Sequence, residues 1–264
     1  MTKIIVEIGA NHGGDMDLAK EMVTKASLAG ADIVKFQVWS IDNLIKGPWD
    51  NDGRLELYKQ SQLSKEKIAE LYEFCSEKGI KFLVSVFNKK DLALLPDSYT
   101  DIIKIPSTEI DNISLLEACR YIFDDIILSV GSSTMDEIDR AYSICTPSCI
   151  MHCVNMYPCP FEDANLNRID SLKRWFPSVG YSDHTIGLAA PVYAISHGCE
   201  YVEKHFTIDR DLPGRDNQFS IMTDELRVLC SIRDQIHTMT QTNILDYVEG
   251  EKEMREIYRG RWGR

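Results

Sequence analysis

Short β-branched or apolar runs alternate with amphipathic stretches along nearly the whole chain, and this alternation limits the fold more than any other feature. The runs cover 4–8, 32–36, 81–86, 101–105, 125–130, 149–154, 178–181 and 200–204. The helical stretches cover 17–29, 65–78, 89–95, 114–123, 135–143, 168–176, 187–197 and 223–240. Strict alternation calls for parallel strands joined by right-handed helical crossovers, and eight such units close on themselves. The expected fold is therefore an α/β protein, a (β/α)8 TIM barrel over residues 1–245, followed by a charged tail at 246–264. A length of 264 residues with 44% apolar composition suits one such barrel better than two small domains. The long insertion at 39–63, with Pro48, Trp49 and Gly53, reads as a loop over the barrel mouth.

Composition narrows the partners. A formal charge of −12 argues against nucleic acid or an anionic membrane, both of which reward a basic surface. No apolar stretch approaches the roughly 20 residues of a membrane span. The eight cysteines include no C-x-x-C pair and lie on strand or helix patterns, as buried free thiols do, and no secretory segment precedes Ile4. A cytoplasmic location is expected.

This architecture builds its sites at the carboxyl ends of the strands, where the polar residues of this chain fall. Glu7 closes the first run, Lys35 and Gln37 the second, Ser85 the third, and Lys104 and then Ser107 the fourth. Ser129 closes the fifth, and Asn155 and Tyr157 follow the sixth. A lysine inside an apolar run is costly without an anion, and with hydroxyls and a carboxamide nearby the pair suits a phosphate bearing a second anionic group. Neighbouring carboxylates would serve too, with Glu7 and Glu203 as structural partners of Lys35 and Lys204. His184 and His205 would meet at one rim, either holding a divalent metal or satisfied as core histidines. His12, His152, His197 and His237 read as packing or surface residues.

In order along the chain, Glu7-Ile8-Gly9-x-Asn11-His12-x-Gly14, Val34-Lys35-Phe36-Gln37, Lys104-Ile105-Pro106-Ser107, Tyr181-Ser182-Asp183-His184-Thr185 and Glu203-Lys204-His205-Phe206-Thr207 resemble the sialic acid synthase family. That family includes the N-acetylneuraminate, legionaminate and pseudaminate synthases and related spore-coat polysaccharide enzymes. Further matches at 160–167 and in Leu212-Pro213-Gly214-x-Asp216 extend the resemblance over about 4–255. It implies condensation of phosphoenolpyruvate with a six-carbon N-acetylated amino sugar of the mannose type, giving a nonulosonic (sialic-type) acid and phosphate. It also implies a divalent metal on His184 and His205, manganese first and magnesium or cobalt next. Lys35, Lys104, Ser85, Ser107, Ser129, Asn155 and Tyr157 match the family's phosphoenolpyruvate cradle. Glu203 matches the residue that approaches the reacting carbons and would handle protons. Glu7 and Lys35 are the other catalytic candidates, and Gln37 and Asp216 would bind sugar hydroxyls.

Departures from the family pattern concern the acceptor. Relatives usually continue into a small antifreeze-like domain that crosses to the partner subunit and presents an arginine to the sugar. Here Gly250-Glu251-Lys252-Glu253-Met254-Arg255 resembles the family's linker, and the sequence ends at Arg264. The expectation is a homodimer whose acceptor side is completed by a separate lid polypeptide, by Arg259, Arg261 and Arg264, or by a different handling of the sugar. Val86 stands where the family commonly has proline, and Asn217 where many members have histidine. Two other functions fit the same residues: a metal-dependent sugar-phosphate lyase or isomerase, and a non-catalytic sugar-phosphate-binding barrel.

Overall fold

The computed structural model describes residues 1–263; Arg264 lies outside the described residues. Eight parallel strands close a barrel in sequence order: β1 Lys3–Gly9, β2 Ile33–Val38, β3 Lys81–Val86, β4 Ile102–Ile105, β5 Asp125–Ser129, β6 Cys149–Cys153, β7 Val179–Asp183 and β8 Tyr201–His205. The helices are α1 Met16–Leu28, α2 Arg54–Ser61, α3 Lys65–Glu77, α4 Ile113–Ile122, α5 Met135–Cys145, α6 Asn167–Leu172, α7 Ala189–Ser196 and α8 Thr223–Met239. Local chemistry sets several starts. The side chains of Asp15, Ser64 and Thr134 accept from the first free N–H groups of α1, α3 and α5, and Glu137 reaches back to Thr134 in a capping box.

Three stretches depart from the sequence reading. The expected helix at 89–95 is a 3-10 helix, Lys89–Leu94, because an Asn88 cap and Pro96 leave it under two turns. The expected helix at 168–176 stops at Leu172, where the chain tightens into turns and the Trp175 and Phe176 N–H groups both bond the Leu172 carbonyl. The insertion at 39–63 is partly helical: α2 packs over the β1–α1 turn, where a Cβ on Gly14 would lie 2.0 Å from the Gln60 carbonyl oxygen. Beyond α8, residues 241–263 are exposed and include the short π-helix Met254–Tyr258.

Strand periodicity separates two faces of the barrel. Ile4, Val6, Phe36, Val84, Ile103, Leu128 and Val202 point outward into the shell of helices. Ile5, Ile33, Leu83, Ile102, Ile127, Cys149, Met151 and Tyr201 form a separate apolar plug inside. Above that plug the same inward columns turn polar, which is why the mouth of the barrel carries the chemistry. The outward columns hold one buried ion pair: Lys204 Nζ lies 2.6 Å from Asp183 Oδ2 and also donates to the Thr185 carbonyl. Asp183 further accepts from Tyr181 Oη at 2.9 Å and from the Thr185 N–H and hydroxyl. Lys204 is therefore not the partner of Glu203; adjacent strand residues face opposite ways.

Breaking a buried pair from one side leaves an uncompensated charge, so Lys204→Ala is expected to lower unfolding free energy in urea by about 3–5 kcal/mol. The paired change Asp183→Leu with Lys204→Met should cost clearly less than the single one. A single variant as stable as the parent would show that the pair does not hold β7 to β8.

Candidate active site

The inward columns of all eight strands converge on a cavity of about 110 Å³. Its wall contains Glu7, Lys35, Gln37, Ser85, Lys104, Ser107, Ser129, Asn155, Tyr157, His184, Glu203 and His205. Register explains the convergence: Glu7 pairs with both Lys35 and His205, Ser85 with Lys104, and Ser182 with Glu203. A bulge in β1 between Glu7 and Gly9 opens the rim. Gly9 has φ +55°, and a Cβ there would come within 2.9 Å of Glu7 Oε1, so this position requires glycine.

At the cavity floor four charged side chains close into a quartet. Lys35 Nζ is 2.6 Å from Glu7 Oε2 and 3.7 Å from Glu203 Oε1, while Lys104 Nζ is 2.6 Å from the same Glu203 oxygen. Ser182 Oγ donates to Glu203 Oε1 at 2.9 Å, and Gln37 Nε2 to Glu7 Oε1 at 2.6 Å. Burial alone would raise the Glu203 carboxyl, but the Lys104 and Lys35 ammonium groups override it and hold it down at about 2. Glu7 moves the other way, raised chiefly by its burial and by the charge of Glu203 against the opposing pull of Lys35. Burial draws the Lys104 ammonium below its ordinary value despite Glu203. The two carboxyl groups thus differ in proton affinity, as acid and base partners do.

Several buried polar atoms in this cavity lack a protein partner: Glu203 Oε2, Ser129 Oγ and His205 Nδ1. Such groups are rare in folded proteins and mark places for a ligand or water. Nearby, Asn155 Oδ1 accepts from Ser107 Oγ at 3.0 Å and its amide donates to Ser132 Oγ at 3.1 Å. Ser132 sits at φ +56° on the turn after β5. The Gly131 N–H points at Cys153 Sγ and the Ser133 N–H closes the hydrogen-bonded turn over 131–132, while the Ser132 N–H meets no acceptor among the described residues. A free backbone N–H on such a turn can contribute to an anion site.

The two rim imidazoles stand with ring centroids 5.6 Å apart. His184 Nδ1 is 2.6 Å from the Val154 carbonyl oxygen, which orients the ring and leaves Nε2 free, while Tyr157 packs on the same ring at 4.1 Å. Burial lowers both His184 and His205 to about 4, so each is neutral near pH 7, the form that ligates metal. Among the described residues no third His, Cys, Asp or Glu joins them in a metal-type cluster. The pair suits a cation that takes its remaining ligands from water or substrate. Asp216 does not line the cavity; its Oδ2 lies 3.6 Å from His205 Nδ1, beyond hydrogen-bond distance. A larger groove of about 550 Å³ between Ala29–Gly30 and α8 holds only Arg227 and Asp234 as ionisable groups besides Cys230. Both are paired, with Asp224 and Arg233, so its size does not make it the reactive site.

The sequence model of the NeuB family matches residues 22–244. The chain belongs to the NeuB family. It is an enzyme of that family by its relatives as well. The N,N'-diacetyllegionaminic acid synthase of Campylobacter jejuni is 35% identical over 254 residues, covering 89% of this chain and 76% of that protein. A pseudaminic acid synthase of the same species is 32% identical, covering 93% of this chain and 77% of that one. The crystal structure of N-acetylneuraminic acid (sialic acid) synthetase from Leptospira borgpetersenii superposes with TM-score 0.89 at 34% identity, covering 100% of this chain and 93% of the other.

For this NeuB-family chain the residues not anticipated as site residues are Ser182, Cys153, Phe87, Pro106 and Thr108, all on the cavity wall. Ser182 was findable, because it stands two positions before His184 on one column of β7. The other histidines lie elsewhere. His12 packs edge-on to Phe36, His152 Nε2 meets the Ala164 carbonyl at 3.0 Å, His197 pairs with Asp170, and His237 sits in the last turn of α8. Asn217 is buried, accepting from Thr207 Oγ1 at 2.6 Å.

His12, His152, His184 and His205 are each lowered by burial to about 4, so between that value and 6.5 the unfolded chain binds protons that the native chain does not. Stability is therefore lost as pH falls through this window, by about 1.4 kcal/mol per pH unit for each such histidine. Urea titrations with chelator present should show that slope, and His152→Phe, outside the cavity, should remove one histidine's share. An unchanged slope in the variant would exclude His152 from the effect.

Proposed function

We propose that this protein condenses phosphoenolpyruvate with a six-carbon N-acetylated amino sugar of the mannose type, yielding a nonulosonic acid and inorganic phosphate. The observation that carries this reading is the buried quartet of Lys35, Lys104, Glu7 and Glu203 beneath two neutral imidazoles in one cavity. Relatives named legionaminic and pseudaminic acid synthases support it. Their named products differ, and the mannose-type sugar rests on the motif resemblance alone.

A dianionic donor matches the cavity's unspent polar capacity. Lys35 and Lys104 are already ordered by carboxylates, and a phosphate or carboxylate of the donor can share their remaining ammonium hydrogens without reorganising the wall. Ser129 Oγ and the free Ser132 N–H have the same need for an acceptor. Ser85, Ser107, Asn155 and Tyr157 complete the orientation, and holding both reagents removes the entropy of bringing them together. Gln37 and, through His205, Asp216 border the acceptor side.

In the reaction, C3 of phosphoenolpyruvate attacks the aldehyde carbon, water adds at C2, and phosphate leaves by carbon–oxygen cleavage. Glu203 stays ionised with Oε2 unpartnered, which suits it to take a proton from the attacking water. Glu7, paired with Lys35 and with its proton affinity raised by burial, is the group to relay a proton to the new hydroxyl oxygen. A divalent cation, manganese with magnesium or cobalt as alternatives, would be held by His184 through Nε2 and by His205, and when bound supplies Lewis-acid polarisation of the aldehyde.

Phosphate release is expected only when phosphoenolpyruvate, an N-acetylated hexose and Mn²⁺ are all present, with a product mass equal to the two substrates plus one water less phosphoric acid. Release without the enolpyruvyl donor would favour a sugar-phosphate lyase, and ligand binding with no turnover a non-catalytic barrel. Chelation should abolish turnover and Mn²⁺ restore it.

Glu203→Gln is expected to lower kcat by about a hundredfold or more with donor KM little changed. Lys104→Ala should raise the KM for phosphoenolpyruvate by about ten- to a hundredfold, the loss of one charge-assisted bond, and that for sugar far less. Equal losses toward both substrates would remove Lys104 from the donor cradle.

A further inference from the structure

The turn after β5 carries the free Ser132 N–H, and what holds it in place lies outside the cavity. Arg168, at the start of α6, donates from Nη1 to the Val130 carbonyl at 3.1 Å and from Nη2 to the Ser133 carbonyl at 2.9 Å. Ser133 Oγ donates to the carbonyl between them, that of Gly131, at 3.0 Å. A trans peptide points its N–H opposite to its C=O. Fixing the Val130 carbonyl toward the guanidinium therefore turns the Gly131 N–H away from it, onto Cys153 Sγ, and fixing the Gly131 carbonyl on Ser133 Oγ sets the direction of the Ser132 N–H. The Thr134 N–H, paired with the Ser133 carbonyl, is already taken by Glu137 Oε2 at 2.7 Å, so the turn continues directly into the capped start of α5.

On its other side the turn abuts the cavity. A Cβ on Gly131 would lie 2.6 Å from both Asn155 Oδ1 and Cys153 Sγ, two cavity-wall atoms, and Asn155 is tied to Ser132 Oγ. Ser132, a non-glycine residue at φ +56°, needs its surroundings to hold it in that conformation. Ser129, whose hydroxyl is buried without a partner, is the last residue of β5 before the turn. Arg168 itself is absent from the cavity wall.

We infer that Arg168 is a positioning residue for the donor's anionic group: its guanidinium fork grips the Val130 and Ser133 carbonyls from behind and so holds the turn, with its free Ser132 N–H, against the cavity wall. The role rests on the donor reading above. Two parallel donors at fixed spacing are what a guanidinium supplies and an ammonium does not. The charge behind the turn also cancels the two carbonyl dipoles nearest it.

The test compares wild type with Arg168→Ala and Arg168→Lys by calorimetric titration of phosphoenolpyruvate, without sugar, and by amide hydrogen exchange of the peptide spanning 130–134 in the unliganded proteins. Arg168→Ala should bind phosphoenolpyruvate about tenfold or more weakly, the loss of hydrogen bonds from a charged donor, and exchange faster across the turn. Millimolar guanidinium chloride should recover much of the affinity, Arg168→Lys should fall between, and the KM for sugar should stay within about threefold. Unchanged donor affinity in Arg168→Ala, or a loss that neither guanidinium nor lysine reduces and that affects donor and sugar alike, overturns the positioning role. A wild-type protein that binds no phosphoenolpyruvate overturns the donor reading itself, and this role with it. Unaltered exchange at 130–134 overturns the grip on the turn whatever the substrate.

Discussion

Burying two ammonium and two carboxylate groups on the floor of one cavity is possible only because each neutralises another, and the rest of the site is arranged around that constraint. Glu203 Oε1 is shared by Lys104, Ser182 and, more distantly, Lys35, while Lys35 reaches across to Glu7. Remove any one member and its neighbours face an uncompensated charge in a water-poor setting, which costs more than the pair contributes. The quartet is therefore held stiffly before any ligand arrives. Stiffness of this kind is what electrostatic catalysis requires, since dipoles and charges that need not move cost nothing at the moment of reaction.

The same two-residue period that builds the quartet also insulates it. In Tyr181-Ser182-Asp183-His184, alternate residues serve opposite faces: Ser182 and His184 line the cavity, whereas Tyr181 and Asp183 join Lys204 in the outer layer. Glu203 and Lys204 divide in the same way. A compact sequence motif thus contains two ion-pair systems that never meet, one binding β7 to β8 and the other facing the mouth. A shift of one residue in either strand would exchange them, placing the stabilising lysine in the cavity and the reactive carboxylate against the helices.

That alternation explains how much could be read from the chain before its structure. The barrel was legible because eight strand-like runs and their crossovers repeat, and the cavity residues because they cluster at strand ends. What escaped depended on boundaries. Reading the seventh strand as ending at 181 left Ser182 outside it, although β7 extends to Asp183 and carries Ser182 inward. Pairing Glu203 with Lys204 treated sequence neighbours as spatial ones, which a strand forbids. The helix expected at 89–95 failed where Pro96 lies just beyond, a local restraint that apolar periodicity does not report, and that at 168–176 where the chain tightens into turns after Leu172. Asp216 lies outside the cavity wall, 3.6 Å from His205 Nδ1.

Strands and loops then divide the two halves of the site. Most groups assigned to the donor belong to strands or to the first residues beyond them, where hydrogen-bonded register and packing against the helices set their positions. On the proposed reading, the acceptor side falls to the rim loops, the segment 39–63 and the loop after β8, tied by Trp39 Nε1 to the Tyr58 carbonyl, Asn43 to Asp91 and Arg210 to Glu225. Loops accept substitution more readily than barrel strands. Relatives named for different acids are what such a partition would produce, with a shared step on the rigid element and variable recognition on the adaptable one. On this argument the acceptor is encoded in the rim loops rather than in the quartet, and exchanging those loops between relatives should carry sugar preference while leaving donor recognition behind.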